Sequence, residues 1–141
     1  MKVENQVQPS PENIKAYLSG KAEPVVMVNL LKFREKAAYA DGRDTRLSGQ
    51  AAYGLYAREM RKLVEAAGGR FLFGGAVESL LRGEVEELWD AVGLVEYPTP
   101  RSLTEIASSP AFQEIETHRI AGLAGQLNLA VRSGGLAACS R

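Results

Sequence analysis

Hydrophobic side chains are densest in residues 24–33, PVVMVNLLKF, where Val25, Met27, Leu31 and Phe33 fall on one phase of a two-residue repeat and Val26, Val28 and Leu30 on the other. A strand that is apolar on both sides must leave water on both sides, so this segment predicts a central strand. Asn29 breaks the pattern in the middle and Lys32 near the exit, and a polar side chain inside such a strand needs a hydrogen-bond partner or a cavity. Upstream, Ser10 and Pro11 form an N-cap followed by proline at the first helical position; Ile14, Tyr17 and Leu18 share one side of the short helix that Gly20 ends. Downstream, residues 34–47 turn abruptly charged around an Asp-Gly pair, the composition of a mobile loop. Ser48 then caps a long helix reaching about residue 67, with Ala52, Leu55, Tyr56, Met60, Leu63, Val64 and Ala67 recurring at helical spacing before Gly68 and Gly69 stop it. Arg61 and Glu65 lie off that stripe, one turn apart, as a solvated pair.

Residues 70–81 read as a second strand with a bulge or close backbone approach at Gly74 and Gly75, and residues 88–97 as a third whose alternate positions are Trp89, Ala91, Gly93, Val95 and Tyr97. The acidic link 82–87 makes the two a hairpin. Pro98 and Pro100 end it, Thr99 caps a helix through residue 108, Ser109 and Pro110 start another through about residue 119, and residues 123–131 form the last strand. Residues 1–9 are expected to fray and residues 132–141 to be a flexible small-residue tail, leaving one domain over 10–131. Apart from the first helix, the order strand, helix, strand, strand, helix, strand predicts an α+β, ferredoxin-like antiparallel sheet. Its helices cover one face only, yet the first three strands are apolar on both, so a second sheet is expected over the open face and the partner is a second copy of the chain.

Lys plus Arg and Asp plus Glu number 17 each, and no basic run tracks a phosphate backbone, so nucleic acid is not an expected partner. No stretch approaches the roughly 20 apolar residues that span a bilayer, and no signal-like segment opens the sequence, so no membrane partner and a cytoplasmic location are expected. Cys139, in the tail, is the one cysteine and is expected to be inert, and His118 is the one histidine. The pair cannot build a nitrogen/sulfur metal cage, and no glycine-rich phosphate loop follows a strand, so neither a metal nor a cofactor is expected.

The blocks PVVMVNLLKF, YADGR, SGQAAYGLY, LVEYP and SSPAFQEIETHRIAGLAGQ, in that order across residues 10–131, together resemble the domain-of-unknown-function 1330 family within the dimeric alpha+beta barrel superfamily. The resemblance implies two ferredoxin-like subunits packed sheet against sheet, each with a cavity between its sheet and its helices or loops, and it implies no known reaction. Superfamily relatives include cofactor-free oxygenases acting on aromatic polyketides, haem-degrading oxygenases and lactone isomerases. The haem-degrading relatives use an asparagine on the first strand with a tryptophan and a histidine further on. Asn29 and Trp89 can stand for the first two, but His118 lies far downstream in the last helix, so haem is not expected.

Candidate chemistry follows from single residues. Asn29 either donates and accepts toward a ligand oxygen or is an amide satisfied by neighbouring backbone. Lys32 and Glu96, on strands that should be neighbours, either pair at the rim or share a pocket. Tyr56 lies on the apolar stripe, whereas Tyr53 lies off it and can face the loop. His118, with Glu114 one turn earlier to orient it, has the minimum equipment for acid or base work, or makes a surface contact. Arg119 either caps its helix or meets an anionic ligand. Two function classes remain. One is a metal-independent enzyme carrying out oxygenation or isomerisation of a small, partly apolar organic molecule, with Asn29, His118 and Tyr53 catalytic and Lys32, Trp89, Glu96 and Arg119 binding ligand. The other is a noncatalytic binding or structural dimer. The first requires Asn29 and His118 to open on one cavity.

Overall fold

The computed structural model describes residues 3–134 and 136, so Cys139 lies outside the described residues. Four helices begin at side-chain caps: Ser10, Ser48, Thr99 and Ser109 each accept the backbone N–H three residues on, from Asn13, Ala51, Ser102 and Phe112. These open α1 (Pro11–Leu18), α2 (Gly49–Ala66), α3 (Pro100–Ala107) and α4 (Pro110–Gly122), three of them with proline in the first turn, where its missing N–H costs nothing. Gly68, at φ +87°, ends α2 in the left-handed conformation that glycine adopts without strain.

The strands β1 (Val25–Phe33), β2 (Arg70–Ala76), β3 (Ala91–Tyr97) and β4 (Leu123–Val131) form one antiparallel sheet in the order β2-β3-β1-β4. This is the expected α+β, ferredoxin-like arrangement with β1 inside the sheet. The hairpin is shorter than its apolar pattern suggests. Its ladder ends where Ala76 pairs with Ala91, and residues 77–90 form a long connection. The Asp90 carboxylate accepts the Phe33 N–H at 2.8 Å and Lys32 donates to the Leu88 carbonyl at 3.0 Å, which fastens the end of this connection to β1 instead of extending β3. Leu80 and Leu81, expected in β2, are exposed.

Strand alternation gives the sheet two different faces. Val25, Met27, Asn29 and Leu31 share the helix side with Tyr97, Val95, Gly93 and Ala91 of β3 and with Ala130, Asn128 and Gln126 of β4. Here Val25, Met27, Val95 and Tyr97 meet Tyr56, Met60 and Val64 of α2, Ile106 of α3 and Phe112 of α4 in the main core. Each such side chain removed from water contributes about 1.5–3 kcal/mol before entropy is subtracted. The opposite face carries Val26, Val28 and Leu30 flanked by Leu94 and Val92 and by Val131, Leu129 and Leu127. Leu129 there is 52% exposed and Phe73 60%.

α2 and α4 touch backbone to backbone. A Cβ on Gly122 would stand 2.4 Å from the Gly49 carbonyl oxygen, and one on Gly49 would stand 2.7 Å from that of Gly122 and 2.1 Å from that of Arg34. Backbone contacts reach both segments expected to be loose. Gln6 donates its N–H to the Gln126 carbonyl at 3.0 Å along β4. In the 34–47 loop, Ala37 and Tyr39 are buried against Ala52 and Ala121, and the Ala38 N–H bonds the Ala121 carbonyl. Both anchors use backbone N–H groups, which the side-chain pattern does not display. No helix among the described residues is long and apolar enough to cross a membrane.

Candidate functional site

A cavity of about 680 Å³ lies between the helix side of the sheet and α2 and α4. It exists because small residues occupy the row where large ones would fill it. A Cβ on Gly93 would meet nothing within 4 Å, and one on Gly74, its partner across β2, would only reach the Val92 carbonyl. Leu31, Phe33, Met60, Phe71 and Val95 supply the apolar wall. Asn29 and Gln126, opposite Gly93 and Leu31 in the ladder, supply a polar floor.

That floor is one connected network. Asn29 Oδ1 accepts from Asn128 Nδ2 at 2.7 Å and from Gln126 Nε2 at 2.9 Å, while its Nδ2 donates to the carbonyls of Gly93 at 3.3 Å and Met27 at 3.4 Å. Gln126 Oε1 accepts in turn from Arg119 Nη2 at 2.6 Å. Arg119 reaches back to the Val7 carbonyl and to Gln8 Oε1 at 3.4 Å. Segment 5–8 thus holds the guanidinium from one side and β4 from the other.

Three tyrosines, Tyr53, Tyr56 and Tyr97, also line the cavity. The Tyr53 ring sits 5.5 Å from Phe33 and 5.3 Å from Tyr56, in tilted contacts. Among the described residues none of the three hydroxyls has a hydrogen-bond partner. The one described hydroxyl fully buried in that condition is that of Tyr17, so the other three reach open space, which for these side chains is the cavity. Burial pushes Tyr53 up to about 12, with Arg119 pulling it back, and raises Tyr56 and Tyr97 further, with the neighbouring tyrosines adding to the effect. At neutral pH all three are protonated and act as donors.

The remaining sequence candidates lie elsewhere. His118 is not part of the cavity wall. Its Nδ1 meets the Tyr39 hydroxyl at 2.7 Å, with the rings edge to face, so Tyr39 fills the orienting role expected of Glu114. Asn29 and His118 therefore do not open on one cavity. Successive helical side chains diverge by about 100°, which turns Arg119 toward the sheet and His118 toward the loop. Lys32 and Glu96 do not pair. The antiparallel register sets Glu96 opposite Val26, at the far end of β1; Glu96 bonds Arg70 at 2.9 Å, and Lys32 lies 3.4 Å from Asp90 and 3.6 Å from Glu87. Trp89 donates its indole N–H to Asn5 at 3.3 Å. The sequence reading missed Gln126, Tyr97, Tyr56 as a cavity residue, and the hollow at Gly93. The signal for the hollow was present in the alternate β3 positions, which go from Ala91 through Gly93 before reaching Val95. Among the described residues no group of three or more His, Cys, Asp or Glu side chains is placed to hold a metal ion.

The sequence profile of a domain of unknown function, DUF1330, matches residues 30–131. RPA0582, a protein of unknown function from Rhodopseudomonas palustris, is similar at 28% identity and a TM-score of 0.81, over 91% of this chain and 96% of that one. Its methylated form is similar at 30% identity and a TM-score of 0.82, over 91% and 94%. SnoaB, a cofactor-independent oxygenase from Streptomyces nogalater, shares the fold at 11% identity and a TM-score of 0.51, over 82% of this chain and 98% of that one. A comparison with curated proteins finds no match.

Proposed function

The chain belongs to the DUF1330 family, and from that premise we propose that it is a homodimer whose subunits each bind a small, partly apolar organic molecule in the cavity between sheet and helices. The observation that carries this reading is the set of three tyrosine hydroxyls without partners in one apolar-walled hollow. Tyrosine hydroxyls set in apolar surroundings normally find a partner, and a ligand oxygen placed among these donors supplies one. The dimer is supported by the apolar outer face, where Val28, Leu30 and Leu129 would be covered by the same face of a second copy.

Binding is favoured over catalysis by two features. The polar atoms of Asn29 are all engaged within the protein, which makes it a structural support of the floor, and His118 faces the loop instead of the cavity. Cofactor-independent oxygenation or isomerisation is the second reading, favoured by the same donors. Where such a reaction runs through loss of a proton from carbon to water in the open cavity, donors fixed around the resulting enolate oxygen stabilise it. SnoaB adds only the fold to that reading. The binding test is native mass spectrometry of the purified protein, followed by thermal melts against a panel of aromatic and alicyclic compounds. A retained small-molecule mass, or a melt raised by ring compounds and not by open-chain polar ones, is expected; a cavity that takes none of them counts against the proposal. Oxygen uptake and product analysis with any ligand found would then separate enzyme from binder.

A further inference from the structure

We infer that the molecule this cavity takes is an anion, a carboxylate or enolate on an apolar ring, with its charged oxygen received by Arg119 and the hydroxyls of Tyr53 and Tyr56. This rests on reading the cavity as a ligand site and specifies what that ligand must carry.

Charge in the wall is not balanced locally. Arg34, Glu35, Asp90 and Arg119 all line the cavity. Asp90 is already occupied, with one oxygen on the Phe33 N–H at 2.8 Å and the other 3.4 Å from Lys32 Nζ. Arg34 and Glu35 are exposed neighbours at the mouth. Arg119 is half-buried, and its partners are all neutral: the Gln126 and Gln8 side-chain oxygens and the Val7 carbonyl. A guanidinium carries five N–H donors. Two on Nη2 and one on Nη1 are used, so Nε–H and one Nη1 hydrogen have no partner among the described residues.

The same cavity wall carries the hydroxyls of Tyr53 and Tyr56, and its remaining carboxylate, Glu35, is exposed at the mouth. Burial opposes ionisation at both Tyr53 and Tyr56, and the charge of Glu116 opposes it at Tyr56, while the charge of Arg119 favours the ionised forms of both. Arg119, Tyr53 and Tyr56 line the same cavity, and α4 packs against α2 where the Gly122 backbone meets Tyr53. A fixed cation beside protonated hydroxyls favours negative oxygen over a neutral amide or ketone and repels cations. The aliphatic and aromatic wall, with the space left by Gly93 and Gly74, accommodates the ring.

Carboxylate and enolate share this chemistry, and paired probes separate them. Naphthoate against methyl naphthoate, and dimedone, an enolate near neutral pH, against cyclohexanone, would be titrated calorimetrically into the intact protein. At least one anion should bind about tenfold or more tighter than its neutral counterpart. That preference should vanish in Arg119→Gln and largely persist in Arg119→Lys. Because Arg119→Gln also unties Val7 and Gln8, the double variant Tyr53→Phe with Tyr56→Phe gives a second reading in which the preference falls about threefold or more while the fold is retained. Neutral counterparts binding as tightly as the anions, or a preference that survives Arg119→Gln, would overturn the anion inference and leave the cavity reading standing. If neither anions nor neutral probes bind, both readings fail.

Discussion

The two faces of the sheet are both apolar over most of their strands, but only the one that packs on the helices holds a polar row. The face turned toward the helices carries Asn29, Gln126 and Asn128 around a hollow, and the face turned away carries Val26, Val28, Leu30, Leu94 and Leu127. In an isolated subunit the polar row would be expected outside and the apolar row inside. The proposed dimer accounts for the difference, since the chain's own helices leave the outer apolar row uncovered. The inner face keeps polar groups because they are paired with one another around a space, and the outer face presents the apolar row that the proposed second copy would cover.

The sharpest way to break this comparison is on the outer face. Leu30→Asp would set a carboxylate in the middle of a dimer surface of roughly 1,500 Å² or more, and an unpaired buried charge costs about 3–5 kcal/mol. Light scattering at micromolar concentration should show a dimer for the parent and a monomer for the variant; a dimeric variant would remove this face as the interface. Next in size is the crossing that frames the inner face. Gly122→Ala sets a methyl 2.4 Å from a carbonyl oxygen, and overpacking of that kind should cost about 3 kcal/mol in a denaturant melt. A loss near zero would mean that the helices slide apart freely.

A smaller effect concerns the inner tyrosines. Tyr53 binds its proton more tightly in the folded chain, at about 12 against 10.0, so the unfolded chain releases the proton first as pH rises. Stability is therefore full below pH 10 and falls between 10 and about 12, by on the order of 2 kcal/mol for this one group. Tyr53→Phe should flatten that alkaline decline in pH-dependent melts, and an unchanged decline would assign it to other groups. The smallest effect belongs off both faces. His118→Ala removes the bond to Tyr39 and should cost about 1 kcal/mol, with faster proteolysis in residues 40–46 and unchanged binding of ring compounds. Loss of binding would extend the inner site to the loop.

The fold was legible because local signals agreed. Ser10, Ser48, Thr99 and Ser109 all cap helices where the pattern places starts, and the double apolar phase of residues 24–33 marks the strand lying between β3 and β4. The hairpin ends were misread because Leu80, Leu88 and Trp89 look like strand residues, while Asp90 decides the ladder's end by bonding β1. At the site, Asn29 was visible as a polar break in an apolar strand, Tyr53 as an aromatic off the apolar stripe of its helix and Arg119 as a cation near a helix end, and the structure brings all three to the cavity wall. The Tyr39–His118 contact joins residues 79 apart in sequence, which no local period reports. The Lys32–Glu96 pairing failed on register alone. Neighbouring strands were inferred correctly, but antiparallel direction puts those two residues at opposite ends.

Register is also where Asn29 matters beyond the cavity. β1 is apolar on both sides, so hydrophobicity alone scarcely distinguishes the native alignment from one shifted by a single residue, a slip that turns every side chain to the other face. In that slipped alignment the Asn29 amide would enter the outer apolar row, leaving Gln126 and Asn128 without the acceptor they share at 2.9 and 2.7 Å. The amides of Asn29 and Gln126 would then lack partners, each at about 1–3 kcal/mol, while the exposed Asn128 amide would turn to water. A single asparagine thus acts as the key that lets an otherwise ambiguous strand recognise its one correct alignment.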